Sequence, residues 1–138
     1  MNQKALIAII GTGWWATQAH IPALLNNPRA DIVLIDTNSE KVNTVAQSYG
    51  IDHAYTSLAE ALSQHPGLQG AIIAVPHSAH YAVARQALDS GLHLLLEKPM
   101  TLYAADAKAL IDTAKAKELE ILMGYTYPYL SMMQTAKQ

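Results

Sequence analysis

A chain of 138 residues that is 51% hydrophobic and 14% charged is long enough for one globular domain with a substantial core, and too apolar to be disordered or fibrous. The formal net charge of −2, with Lys and Arg scattered along the chain, leaves no basic footprint for nucleic acid or an anionic membrane. Without cysteine there is no disulfide framework, thiolate zinc site or cysteine nucleophile.

The first element is an apolar run, Ala5 to Ile10, behind a single Lys4. It resembles a signal peptide only superficially, because no basic cluster precedes it and glycines interrupt it at once. No apolar stretch approaches the roughly 20 residues of a membrane span, so a soluble cytoplasmic protein is expected. The run breaks into Gly11-Thr12-Gly13-Trp14-Trp15-Ala16, a G-x-G-x-x-A loop. Gly11 permits a tight turn off a strand, Gly13 removes a Cβ where a pyrophosphate would approach the backbone, and Ala16 is small enough for close helix packing. Backbone N–H groups of Gly11, Thr12, Gly13, Trp14 and Trp15, with the dipole of a following helix, suit the diphosphate of a dinucleotide. The two indole rings are bulky for such a cradle and are expected to pack on neighbouring loops rather than cover a cofactor.

Further strands are expected at Ile32 to Ile35, Ala71 to Val75, His93 to Leu96 and Ile121 to Met123, with a weaker one at His53 to Tyr55. Helices are expected at about Trp15 to Asn26, Ser39 to Tyr49, Ser57 to Gln64, Ala79 to Ser90 and Ala104 to Lys117. Ser39 reads as an N-cap, and Gly50 and Gly91 as C-terminal stops. Continuous rather than alternating apolar strands, interleaved with helices, indicate an α/β doubly wound parallel sheet of about six strands with helices on both faces. Right-handed crossovers would bring Gly11, Asp36, Val75 and Glu97 to the carboxyl edge, where ligands bind in such sheets.

Asp36 ends the second apolar strand 25 positions after Gly11, near the spacing at which an acidic residue meets the adenosine ribose. Its carboxylate would accept from both ribose hydroxyls and repel a 2′-phosphate, by roughly 4 kcal/mol at about 4 Å and a surface-like dielectric. With the neutral Thr37 beside it, NAD is favoured over NADP as cofactor. Lys41 is the one nearby cation that could reach a phosphate. The bland alternative is that Asp36 only opens a turn before Asn38 and Ser39.

Two later segments are Ala74-Val75-Pro76-His77-Ser78-Ala79-His80 and Ala87-Leu88-Asp89-Ser90-Gly91-Leu92-His93-Leu94-Leu95-Leu96-Glu97-Lys98-Pro99. Together with the glycine loop and His20-Ile21-Pro22, they make the chain resemble the nucleotide-binding (Rossmann-fold) half of the glucose–fructose oxidoreductase/inositol dehydrogenase/MocA family of sugar and polyol oxidoreductases. The resemblance covers almost the whole chain. It implies that backbone groups of Ala74, Val75 and Pro76 line the dinucleotide, that His80 sits near it, and that Glu97 contacts the nicotinamide-side ribose. Lys98 corresponds to the family's active-site lysine, whose ammonium would stabilise alkoxide charge or donate a proton. Pro99 would hold Lys98 out of helical geometry.

Other side chains carry plainer expectations. His77 and His80 are three apart but lack a third ligand, so no metal is expected. His53, His65 and His93 need no role, and Leu110, Ile111 and Leu119 should face the sheet. Residues 1–124 are expected to form the dinucleotide-binding domain, and 125–138 to begin a linker helix toward a C-terminal substrate domain that is not in the chain. Proline at 128 stands where the family commonly has arginine. Tyr125, Tyr127, Tyr129, Leu130, Met132 and Met133 would leave an exposed apolar patch and promote a homo-oligomer.

The leading functional expectation is the cofactor half of an oxidoreductase that moves hydride between NAD and a sugar, polyol or related secondary alcohol. The alternative is an NAD-binding module without turnover, serving as a sensor or partner subunit. A Rossmann-type binder of coenzyme A or an adenylate ranks third, because Asp36 with Glu97 and Lys98 fits a complete dinucleotide better.

Overall fold

Six parallel strands end in one row, and the residues that follow them share one edge. The computed structural model describes residues 4–126 and residue 135. The strands are β1 (Ala5–Ile10), β2 (Ala30–Ile35), β3 (Ala54–Tyr55), β4 (Gly70–Ile73), β5 (His93–Leu96) and β6 (Ile121–Met123). They form one sheet in the order β3-β2-β1-β4-β5-β6, the doubly wound arrangement expected, with its switch point between β1 and β4. Pairing aligns Tyr55 with Ile35, Ile35 with Ile10, Ile10 with Ile73, Ile73 with Leu96, and Leu96 with Met123. Every strand therefore hands its chain to the same edge.

The strands are continuously apolar because both faces are covered. Ala8, Ile10, Val33, Ile35, Ala71 and Ile73 belong to one core with residues of α3 (Leu58–Gln64), α4 (His80–Asp89) and α5 (Ala104–Ala116). Ile9, Ile32, Leu34 and Ile72 belong to the other, with Ala16, with Ile21 of α1 (Ile21–Leu25), and with Val42 and Ala46 of α2 (Ser39–Tyr49). Ala16 is buried against the sheet, as its size predicts.

Several boundaries differ from expectation. The helix after the glycine loop is not a single α-helix: Ala16–His20 makes a π-turn, closed by the Ile21 N–H on the Ala16 carbonyl, and only then does α1 begin. Pro22 explains the break, since it has no N–H to continue an ordinary i→i−4 ladder. The N-cap of α2 is Asn38, whose side chain accepts from the Lys41 N–H at 2.9 Å, and Ser39 is the first helical residue. Ser57 caps α3 from outside it, while Glu60 reaches back to the Thr56 N–H at 3.0 Å. A 3₁₀ turn, His77–Ala79, precedes α4. β4 stops at Ile73, so Ala74 and Val75 leave the sheet. Gly50 has φ +65° and Gly91 φ +81° at the helix ends where stops were expected. Leu110 is fully buried but Ile111 is 40% exposed, because neighbours on a helix lie about 100° apart and cannot both face the sheet.

The segment expected to begin a linker helix, with Tyr127, Pro128, Tyr129, Leu130, Met132 and Met133, lies outside the described residues. Tyr125 is described and is 53% exposed. Among the described residues no helix is long and apolar enough to cross a membrane.

Candidate functional site

The residue after each strand end is pinned to its neighbour by the backbone. Gly11 N–H donates to the Ile35 carbonyl at 2.8 Å, Ala74 to Ile10 at 2.8 Å, Glu97 to Ile73 at 3.2 Å and Gly124 to Leu96 at 2.8 Å. Two adjoining cavities run along this edge. One of about 590 Å³ is bordered by Gly11, Gly13, Asp36, Thr37, Lys41 and Pro76, among others. The other, of about 730 Å³, is bordered by His77, His80, Glu97, Lys98, Gly124 and Tyr125. Trp14, Trp15, Ala74 and Val75 border both, so the edge offers one elongated groove.

The two loop glycines do different things. Gly11 has φ +93°, and a Cβ there would stand 2.5 Å from the Ala74 carbonyl oxygen, so it permits both the turn and the close approach of the β1 and β4 loops. A Cβ on Gly13 would meet nothing within 4 Å. The space beside Gly13 is room for a ligand, as a phosphate cradle requires.

At one end, Asp36 gathers donors. Its Oδ2 accepts from the Thr12 N–H, the Thr12 hydroxyl and Lys41 Nζ, each at 2.9 Å, and its Oδ1 accepts from the Asn38 N–H at 3.1 Å. Burial alone would raise its pKa, but the Lys41 ammonium, the Thr12 and Asn38 N–H groups and the Thr12 hydroxyl together lower it from 3.8 to about 2. The carboxylate is therefore ionised at neutral pH and closes the loop onto β2 as well as facing the cavity. A turn does start at Asp36, yet its links to Thr12 give it more than the turn role. Lys41 is committed to Asp36 rather than free to meet a phosphate.

At the other end lies Glu97, 8% exposed. It is not paired with Lys98. Its Oε1 accepts from Trp15 Nε1 at 2.7 Å and faces His20 Nε2 at 2.8 Å. Lys98 is exposed, and among the described residues its ammonium has no hydrogen-bond or ion-pair partner. The Lys98–Pro99 peptide is cis. His80 borders the cavity but is fully buried: its Nδ1 lies 2.7 Å from the Pro99 carbonyl and its Nε2 3.1 Å from the Val75 carbonyl, tying the loops after β4 and β5 together. The expectation that the indoles pack on neighbouring loops is not met by Trp14, which is 72% exposed and stands 5.7 Å from the Trp15 ring. Trp15 does pack, through its N–H.

The family model described as "Oxidoreductase family, NAD-binding Rossmann fold" (GFO_IDH_MocA) matches residues 5–125. The chain belongs to this oxidoreductase family. Among curated relatives of this Gfo/Idh/MocA chain, an uncharacterised oxidoreductase of Synechocystis sp. is 33% identical over 129 residues, which are 93% of the chain and 34% of the relative. Glucose-6-phosphate 3-dehydrogenase of Bacillus subtilis is 33% identical over 132 residues, 95% of the chain and 36% of the relative. The chain thus spans about a third of the length of these relatives. Of solved structures, GenD2 from gentamicin A biosynthesis, in complex with NAD, superposes with a TM-score of 0.90 at 24% identity, over 97% of this chain and 38% of that one. The 3-ketoreductase KijD10 of Actinomadura kijaniata, in complex with NADP, gives 0.87 at 18% identity, over 97% and 42%. These likenesses show the fold.

For a Gfo/Idh/MocA domain the groove then has a natural occupant, a nicotinamide dinucleotide, and the residues present fit one: open backbone at Gly13, the ionised Asp36 at one end, the Glu97 carboxyl group at the other, and beside it the Lys98 ammonium, which has no partner among the described residues. Sequence reading missed His20 as a side-chain partner of Glu97. Its only signal was the tripeptide His20-Ile21-Pro22, which marked the family but not a contact reaching across the sheet edge. Thr56, Ser57 and Gln86 on the first cavity and Gly124 beneath Glu97 were also not singled out. Among the described residues no group of three or more His, Asp or Glu could hold a metal.

Proposed function

We propose that this chain is the cofactor-binding part of an oxidoreductase that moves hydride between NAD and the carbinol carbon of a sugar, polyol or related secondary alcohol. The single observation that carries the reading is the groove itself, with Asp36 at one end and, beside Glu97 at the other, a Lys98 that has no partner among the described residues. In this reading residues 1–124 form the cofactor domain, and 125–138 lead toward a substrate-binding part supplied elsewhere in the complete enzyme.

When bound, the nicotinamide supplies a site that accepts or returns a hydride. The chain's own residues would do the rest. Backbone N–H groups from Gly11 to Trp15 would hold the diphosphate, with Thr12 also fixing Asp36. Asp36, with Thr37 beside it, would read the adenosine ribose and favour NAD over NADP. Ala74, Val75 and Pro76 would form the wall between the two ends, kept in place by His80. Glu97 would accept from the nicotinamide-side ribose. Lys98 would face the substrate oxygen: in reduction its ammonium would donate the proton that the carbonyl oxygen gains as hydride reaches the carbon, and in oxidation it would stabilise the negative charge on the oxygen as the hydroxyl proton leaves to water.

One relative lends the reading support: glucose-6-phosphate 3-dehydrogenase acts on a sugar phosphate, as its name says. Titration calorimetry of the 138-residue chain with NAD and NADP tests the binding half. Saturable NAD binding, tighter than NADP, is expected, and no saturation by either would sink the proposal. Turnover is tested separately with a panel of aldoses and polyols. Binding without turnover is expected of this chain, whereas turnover abolished by Lys98→Ala would overturn the placing of the substrate-binding part elsewhere.

A further inference from the structure

The π-turn after the glycine loop has a geometric consequence at the far end of the groove. Trp15 and His20 are five residues apart, which in an α-helix of 3.6 residues per turn would set them about 140° apart around the axis. The wide turn, with its Ile21 N–H to Ala16 carbonyl bond, closes that angle. Both side chains thus reach the same oxygen, Glu97 Oε1, at 2.7 and 2.8 Å, and their rings meet edge to face at 6.4 Å. A carboxylate only accepts, so His20 presents its Nε2–H to it.

Glu97 is also closed in from β6. A Cβ on Gly124 would stand 2.9 Å from the Glu97 carboxyl carbon and Oε1 and 3.0 Å from Oε2. Two donors on one oxygen and a bare glycine against the carboxyl plane leave it one orientation. In that orientation Oε2 receives no hydrogen bond from the described residues, yet no buried side-chain oxygen or nitrogen among them lacks a partner. Oε2 is therefore open to the cavity that Glu97 borders.

We propose that His20 and Trp15 are positioning residues: they clamp Glu97 through Oε1, over Gly124, so that Oε2 is presented to the vicinal hydroxyls of the ribose on the nicotinamide side of the cofactor. The proposal rests on the dinucleotide reading of the groove and assigns specificity for that ribose to side chains from the first helix rather than to Glu97 alone. Loss of a hydrogen bond to a carboxyl group in a half-enclosed site costs of the order of tenfold in affinity.

Calorimetry with three probes separates positioning from packing. NAD and ADP-ribose both contain the second ribose, and ADP lacks it. In His20→Ala, NAD and ADP-ribose are expected to bind about tenfold more weakly while ADP binds as to the wild-type chain. His20→Gln, whose amide can still donate to Oε1, is expected to restore most of the loss. Trp15→Phe, which keeps an aromatic ring and removes the N–H, is expected to show the same probe pattern, and it serves if His20→Ala fails to fold. An equal loss for ADP, a His20→Gln no better than His20→Ala, or unchanged NAD affinity in both His20→Ala and Trp15→Phe would each overturn the clamp while leaving the dinucleotide reading intact. A wild-type chain that binds ADP but neither NAD nor ADP-ribose overturns both.

Discussion

Lys41 Nζ lies 2.9 Å from Asp36 Oδ2, on an oxygen that also takes two hydrogen bonds from Thr12. The carboxylate expected to repel a 2′-phosphate is thus partly neutralised by the one cation that reaches it among the described residues. Lys41 is 44% exposed at its side chain and Asp36 11%, so the acid forms the buried side of the pair and the amine the solvent side.

Cofactor preference should follow that pair. Removing the carboxylate in Asp36→Ala is expected to weaken NAD by about tenfold or more, the scale of a lost charge-assisted hydrogen bond, and to narrow the preference over NADP. Lys41→Ala should act in the opposite sense and widen the preference about fivefold, because Asp36 then faces a phosphate uncompensated. Calorimetric NAD and NADP affinities of the two variants decide this. A Lys41→Ala ratio equal to the wild type would mean the amine takes no part in selection.

The same carboxylate should shape acid stability. Its folded pKa of about 2 lies below its ordinary 3.8, so the stabilisation it contributes is complete above about pH 4 and is lost as pH falls toward 2. At 1.36 kcal/mol per unit this amounts to at most about 2 kcal/mol. Asp36→Asn should melt lower at pH 7 and show a shallower loss of stability between pH 4 and 2. Parallel acid-unfolding curves for variant and wild type would refute the assignment.

A second pH response is expected at the sheet's outer strand. His65 and His53 stack edge to face at 4.4 Å, and His65 Nε2 lies 2.8 Å from the Tyr55 hydroxyl. Burial first, and the His53 charge second, lower the His65 pKa from its usual 6.5. A histidine with a depressed pKa favours folding while neutral, so this stability is present above about pH 6.5 and fades as pH drops below it. Melting temperatures of His65→Gln should depend less on pH between 7 and 5 than those of the wild type. An unaltered slope would show the pair to be inert.

Much of the scaffold was legible because strands buried on both faces must be apolar throughout, and glycine with Asp36 marks the edge they create. What composition cannot report is where pairing stops. Ala74 and Val75 are as apolar as Ile72 and Ile73, yet they leave the sheet to wall the groove. Thr37, Asn38 and Ser39 can each cap a helix, and only the backbone path selects Asn38. Within the candidate site, Glu97 was legible from the Glu-Lys-Pro ending, but its partners were not. His20 is 77 positions away and Trp15 82, and both reach it across the π-turn Ala16–His20 that precedes Pro22. Contacts set by such a local irregularity leave no periodic trace in a sequence.

The glycine loop itself offers the sharpest separation of fold from function. At Gly11 an added methyl would stand 2.5 Å from a backbone oxygen of Ala74, at φ +93°, where neither neighbour is a flexible side chain that can yield. Gly11→Ala should therefore cost about 3 kcal/mol or more, visible as a large drop in melting temperature before any ligand is added. At Gly13 the same methyl meets no protein atom within 4 Å and the backbone has no positive φ. Gly13→Ala should melt within a few degrees of the wild type. The methyl would occupy the space in which a diphosphate approaches the loop, so NAD and ADP should both bind at least tenfold more weakly to Gly13→Ala. This differs from the His20 variants, in which ADP is spared. Equal melting losses at the two glycines, or wild-type ADP affinity in Gly13→Ala, would show that the space beside Gly13 is not where the diphosphate lies.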